Sequence, residues 1–236
     1  MTLLKVEKLV KRFGGVVAVN NCSFSIKDRE LVGLIGPNGS GKTTIFNLVM
    51  GIYKPDYGDI YFKDELISGL KVHEISRRGI GRTFQILKVF PKMSVLENML
   101  VSGVEKQKGK SETARAFELL QLVDLSDLKD EFAGNLSYGQ QKLLEFAMAL
   151  MPDPILTLLD EPASGLNPIT LKKLTDYICE LNHKGKAFVI IEHNIPFVMG
   201  LCERVIVLDN GEKIAEGPPE AIRGDEKVID AYLGRA

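Results

Sequence analysis

The run GPNGSGKTT, residues 36–44, sets Gly36, Gly39 and Gly41 ahead of Lys42, Thr43 and Thr44. Its spacing is G-x-x-x-x-G-K-[ST], the phosphate-binding loop that joins a strand to a helix. A phosphate group needs many donors around a small anion. Glycines let backbone amides turn inward, with Pro37, Asn38 and Ser40 completing the loop. Lys42 can reach the β and γ phosphates of a nucleotide, and the Thr43 hydroxyl can ligate magnesium. A second stretch, ILTLLDEP at 155–162, is an apolar strand that stops abruptly at Asp160 and Glu161. Carboxylates at the carboxyl end of a buried parallel strand face the ligand crevice. Asp160 is placed to hold magnesium through water, and Glu161 to orient or deprotonate an attacking water. Two acids at a strand end can also be a loop entrance, and only the phosphate loop upstream favours the catalytic pair.

In VIIEHN, at 189–194, His193 ends another strand, where it is either structural or within reach of a γ-phosphate. His73 and His183 read as structural. GRTFQ, at 81–85, places Gln85 where it could touch the metal or the water. NLSYGQQ, at 135–141, holds no acid, base or nucleophile, but Ser137 and Gln140 have the spacing of a helix-capping box.

These residues need strands and helices to hold them. ELVGLIGPNGSGKTTIFNLVMG reads as a buried strand, a glycine-rich loop and a helix closed by Gly51. VVAVNNCSFSI and GDIYFKDELI each read as one strand, bounded by the turn KPDYGD. From about Pro91 to Met151 the pattern is helical, as in ARAFELLQLV and QQKLLEFAMAL, while the lysine-rich EKQKGKSE reads as a solvated loop. Strands return in PILTLLD, KAFVIIEH and RVIVLDNGEKIAEG, the last a hairpin turning on Asp-Asn-Gly. A helix starts at NPITLKKL with Pro168 in its first position. The order is α/β, with a helical insertion splitting a parallel sheet.

The chain has 236 residues, enough for one large domain or two lobes that share an interface. A net charge of −1 gives no basic field for nucleic acid. Cys22, Cys179 and Cys202 form no C-x-x-C pair, so neither a zinc site nor a disulfide framework is expected, and a reducing cytosol suits them. MTLLKVEKLVKRFGG lacks the apolar core of a signal peptide, and no uncharged apolar run nears the roughly 18 residues that span a bilayer. A protein of this kind working at a membrane is expected to be held there by another chain.

GPNGSGKTT, RTFQ, LSYGQQ, ILTLLDEP, SGLNP and IIEH occur in that order. The set resembles the Walker A, Q-loop, signature, Walker B, D-loop and switch-histidine motifs of ABC transporter ATP-binding proteins. The resemblance implies an α/β P-loop NTPase fold: an ABC nucleotide-binding domain whose RecA-like core carries an antiparallel β subdomain and an inserted α-helical subdomain. On this reading residues 1–87 and 152–236 are the core with its β subdomain, and 88–151 the helical signature subdomain. It also implies ATP and Mg2+ at the site, and a head-to-tail dimer, homomeric or with a sister ATPase, with ATP between the subunits. Ser137, Gly139 and Gln140 would then face the nucleotide of the other subunit. Gln85 would contact the metal and water, and Phe13 would stack on adenine where tyrosine is more usual. The further partners implied are transmembrane permease subunits and, indirectly, a substrate-binding protein, which puts the chain on the cytoplasmic face of the membrane.

KRFGGVVAVN, VFPKMSVLEN, LSYGQQ, GLNP and the final DAYLG look like the branched-chain amino acid importer group, and more narrowly its LivG-type subunit. Related ATPases for urea or amide import and for lipopolysaccharide export share much of this sequence, and soluble ABC ATPases share the site. Two departures stand out: Tyr138 replaces the commonest glycine of the signature, and Asn167 the usual D-loop aspartate. Both look like variants of this subgroup.

Overall fold

A computed structural model describes residues 1–83, 88–103 and 111–233. In chain order the elements are β1 (Thr2–Phe13), β2 (Val16–Lys27), β3 (Leu31–Ile35), α1 (Lys42–Val49), β4 (Tyr57–Phe62), β5 (Glu65–Leu66), α2 (Val72–Arg77), β6 (Ile80–Arg82), α3 (Val95–Val101) and α4 (Glu112–Leu122). They continue with α5 (Tyr138–Leu150), β7 (Leu156–Asp160), α6 (Pro168–His183), β8 (Ala187–Ile191), α7 (Ile195–Leu201), β9 (Arg204–Asp209), β10 (Glu212–Gly217), α8 (Pro219–Arg223) and α9 (Glu226–Leu233). Gln85 and most of the lysine-rich stretch lie outside the described residues.

One sheet has the order β10-β9-β3-β8-β7-β6, with every pair parallel except the β9–β10 hairpin. Its strands β3, β7 and β8 are buried along their whole length. Their residues alternate between two apolar cores. Val32, Leu34, Leu158, Val189 and Ile191 pack with α1 and the second sheet. Ile35, Leu159, Phe188 and Ile190 pack with α3, α4 and α5 on the other face. This burial on both sides is why the strands read as unbroken apolar runs. The second sheet, β2-β1-β4-β5, is antiparallel.

The expected single strand GDIYFKDELI is broken in two, because Phe62 pairs with Glu65 around a turn at Lys63 and Asp64. Both turn residues have positive φ, 51° and 63°. A two-residue turn preserves the alternation of faces, so periodicity alone does not reveal it. The Asp-Asn-Gly hairpin forms as expected, with Asn210 and Gly211 at φ 47° and 82° and Asp209 opposite Glu212. Pro168 opens α6, capped by Asn167, whose side chain accepts the Thr170 N–H at 2.9 Å.

An ion pair helps to tie the two sheets. Arg204 on β9 donates to both Glu30 oxygens at 2.7 Å and to the Ser25 carbonyl at 2.7 Å. Glu30, in the β2–β3 turn, also accepts the Lys27 N–H at 2.7 Å. Burial is the largest influence on Glu30 and opposes its ionisation, but the hydrogen bonds from Arg204 and the Lys27 N–H, together with the Arg204 and Lys27 charges, outweigh it and hold the carboxyl below its usual range. Arg204→Met leaves this buried carboxylate without its counter-charge and is expected to cost about 3 kcal/mol of stability at neutral pH. Because the folded carboxyl is the stronger acid, its contribution is present above the ordinary glutamate range and fades as pH falls through its depressed folded value. Urea denaturation of both proteins across pH checks this: the gap between them should narrow in acid.

Candidate functional site

The phosphate-loop sequence leaves β3 at Ile35 and enters α1 at Lys42. Two of its glycines are demanded by their surroundings. Gly36 has φ 151°, and a Cβ there would lie 2.1 Å from the Leu208 carbonyl oxygen. Gly41 has φ 100°, and its Cβ would lie 2.4 Å from the Ala18 carbonyl oxygen. The loop is therefore held between the end of β9 and strand β2. The β9–β10 turn supports it from behind, since the Gly211 N–H donates to the Ser40 carbonyl at 3.1 Å. Lys42 Nζ donates back to the carbonyls of Gly36 and Pro37, at 2.8 and 2.9 Å, and to Ser40 Oγ at 3.3 Å. Burial lowers the Lys42 pKa, against the opposing charges of Glu161 and Asp160. Gly41 gives α1 no side-chain cap, so the helix turns free amides and its positive end toward the space beyond the loop.

That space is a cleft of about 390 Å³. Asn38, Gly39, Gly41, Lys42, Thr43 and Thr44 line it from the loop and helix, Ala18 from β2, and Glu161 and His193 from the ends of β7 and β8. A larger groove, about 620 Å³, lies against the antiparallel sheet among Lys5, Glu7, Lys213 and Glu216. Lys5 pairs with Glu7 and Lys213 with Glu216, so these charges converge on no common point. The smaller cleft is the site, because donors and acids from separate segments meet there.

At the end of β7, Asp160 is 1% exposed. One carboxylate oxygen accepts Arg82 Nη2 at 2.8 Å, and the other has no hydrogen-bond partner among the described residues. Burial raises the Asp160 pKa despite the Arg82 charge. Arg82 is itself anchored, by Asn47 Oδ1 at 2.6 Å and by the Phe46 ring 5.5 Å away. Glu161 follows with φ 49°, a left-handed conformation unusual for a glutamate and a sign of stored strain. Its carboxylate lies 3.0 Å from His193 Nε2. Beneath the pair is Glu192, 3% exposed, which accepts the Ala163 N–H at 2.6 Å and the His193 and Asn194 N–H groups at 3.1 and 3.3 Å.

Arg82 and Glu192 are the functional neighbours that sequence reading missed. Both lie inside the quoted GRTFQ and VIIEHN stretches, and a charged residue adjoining a buried strand was the available signal. Among the described residues there is no cluster of three or more His, Cys, Asp or Glu that could hold a metal. One unpartnered Asp160 oxygen and the exposed Thr43 hydroxyl suit a hard cation that keeps waters and takes its remaining ligands from substrate phosphates, as Mg2+ does.

Phe13 and the residues of the 137–140 turn do not line this cleft. Phe13, at the β1–β2 hairpin, is 43% exposed and meets Tyr53 edge-on, with ring centroids 5.1 Å apart. The capping box at the start of α5 is formed: the Gln140 N–H donates to Ser137 Oγ at 3.3 Å and the Ser137 N–H to Gln140 Oε1 at 2.9 Å. Ser137, Gly139 and Gln140 do not line the cleft.

A family model described as "ABC transporter" matches residues 19–164, and one described as "Branched-chain amino acid ATP-binding cassette transporter" matches 212–236. The high-affinity branched-chain amino acid transport ATP-binding protein LivG of Salmonella typhimurium is 43% identical, covering 99% of this chain and 98% of its own. A probable LivG of Archaeoglobus fulgidus is 39% identical, with 99% and 96% covered. Among solved structures, a nucleotide-free ATP-binding cassette from an ABC transporter superposes with TM-score 0.91 at 35% identity, covering 99% of this chain and 100% of that one. A dimeric cassette in a post-hydrolysis state, bound to ADP and Pi, gives 0.81 at 29% identity, with 92% and 99% covered.

The loop geometry sets a measurable contrast. Gly39, at φ 79°, has open space around it, so Gly39→Ala should cost only its conformational strain, about 1 kcal/mol. Gly41→Ala adds a collision with backbone and should cost at least about 2 kcal/mol more. Equal urea midpoints for the two variants would contradict this packing.

Proposed function

The chain belongs to the ABC transporter ATP-binding family, and from that premise we propose that it is the ATP-hydrolysing subunit of an importer for branched-chain amino acids. The observation that carries the reading is the convergence of Lys42, Thr43, Glu161 and His193, from separate segments, on one cleft. The transported substrate is supported by the names of the full-length LivG relatives and by the second family match at 212–236.

In this reading ATP is the substrate. The backbone N–H groups of the loop at 38–41 and the amino end of α1 hold its β and γ phosphates, and Lys42 leaves its own loop carbonyls to pair with them. Phe13 offers a ring face to adenine. Thr43 and Asp160, with Gln85 as a further contact, would hold Mg2+, which when bound neutralises phosphate charge. Glu161 orients a water in line with the γ-phosphate and takes its proton, and the P–O bond to ADP breaks as the water oxygen bonds to phosphorus. His193 keeps Glu161 aimed through their 3.0 Å contact and, from its place on the cleft wall, would touch the γ-phosphate.

The site is completed by a second cassette. Support comes from the dimeric cassettes among the structural relatives, and from Ser137, Gly139 and Gln140 lying off their own chain's cleft. The capped start of α5 aims its dipole and the Gly139 amide outward, suited to a γ-phosphate held by another subunit. No helix among the described residues is long and apolar enough to cross a membrane, so attachment to the cytoplasmic face would come through permease subunits, with a substrate-binding protein upstream of them.

Glu161→Gln should bind ATP and trap a closed dimer while turnover falls at least about a hundredfold. Lys42→Ala should instead weaken ATP binding itself by about tenfold or more. Nucleotide titration and phosphate release in the assembled transporter separate the two, and unchanged turnover in Glu161→Gln would remove Glu161 from its assigned role.

A further inference from the structure

Tyr138 stands where the commonest signature sequence has glycine, and its ring lies on the loop that follows Glu161. A Cβ on Gly165, which has φ 73°, would come within 2.7 Å of Tyr138 Cε1. The Tyr138 hydroxyl points at the Ser164 carbonyl at 3.5 Å. Next to it, a Cβ on Gly139 would lie 3.2 Å from Thr170 Oγ1, so two successive residues of the turn rest on the segment that opens α6.

That segment is tied to the catalytic cleft. The Ser164 N–H donates to the Glu161 carbonyl at 3.2 Å. The Ala163 N–H donates to buried Glu192, which also holds the backbone of His193. A continuous set of contacts therefore runs from Glu161 and His193, through 163–165, to the turn at 137–140.

We propose that Tyr138 is a positioning residue that locks the signature turn to the 161–167 loop of its own chain. The functional consequence rests on the reading that Ser137 serves the nucleotide of a second cassette. A displacement at a chain's own Glu161 is then carried, within that chain, to the turn that completes the other site. With glycine at 138 the turn has no side chain to rest on Gly165 and the two segments shift independently.

Spatial continuity alone does not demonstrate coupling, so the test perturbs one end and reads the other. Asn167→Ala removes the α6 cap and should raise amide exchange across 164–170 about fivefold. In the otherwise native chain, and with Tyr138→Phe, the amides of 139–141 should accelerate as well, by at least about twofold. With Tyr138→Ala that second response should vanish. Glu192→Gln, which leaves at least one of three backbone N–H groups unmatched, is the alternative perturbation should the cap change prove too mild. Amides at 139–141 that ignore both perturbations, or respond equally in Tyr138→Ala, would overturn the proposal.

This readout needs no hydrolysis, so it stands apart from any failure of the ATPase reading. In the assembled transporter, Tyr138→Ala should lower kcat by about tenfold with KM for ATP unchanged, and Tyr138→Phe should restore it. A raised KM with native kcat would instead make Tyr138 a nucleotide contact and sink the positioning role.

Discussion

Polar side chains can leave a strand buried on both faces only at its ends. The charged groups of the parallel sheet obey this: β3, β7 and β8 are apolar along their length apart from the buried Thr157 of β7, and each ends in chemistry at its carboxyl end, the loop after Ile35, Asp160 with Glu161, and Glu192 with His193. Because these strands run parallel, their ends fall on one edge, and groups more than a hundred residues apart in sequence meet there. The fold thus forms the cleft as a consequence of how its core is covered.

Keeping charges at such an edge requires support from behind, and the structure supplies it in pairs. Arg82 sits under Asp160 and is held in turn by Asn47 and Phe46. Glu192 sits under His193 and Ala163, its carboxylate matched by three backbone N–H groups. Both supporting residues are buried and hydrogen-bonded, although burial raises the Glu192 pKa despite its three N–H partners, and such networks favour one geometry over alternatives. Tyr138 extends the same logic outward, giving an exposed turn a footing on the loop behind the catalytic acids.

The local order of elements was legible where pattern and turn chemistry agreed. The glycine loop, the Asn210–Gly211 hairpin, the Pro168 start of α6 and the Ser137 capping box all follow from short-range rules, and all are formed. The Lys63–Asp64 turn was not legible, because Lys-Asp lacks the glycine of the usual two-residue hairpin turns and the loop keeps the strand alternation intact. Strand β6 was missed for a different reason: three residues carry too little periodicity to register, yet they deliver Arg82 to Asp160.

The sequence by itself determined which residues could do chemistry and, through motif order, the family to which the chain belongs, because both depend on residue type and spacing along the chain. Only the tertiary structure decided who touches whom: the 3.0 Å meeting of Glu161 and His193, the pairing of Arg82 with Asp160 across 78 positions, and the placing of Ser137 away from its own cleft. Those contacts depend on strand order and on how helices cover the sheet. These are properties of the packed chain that no local stretch of residues encodes.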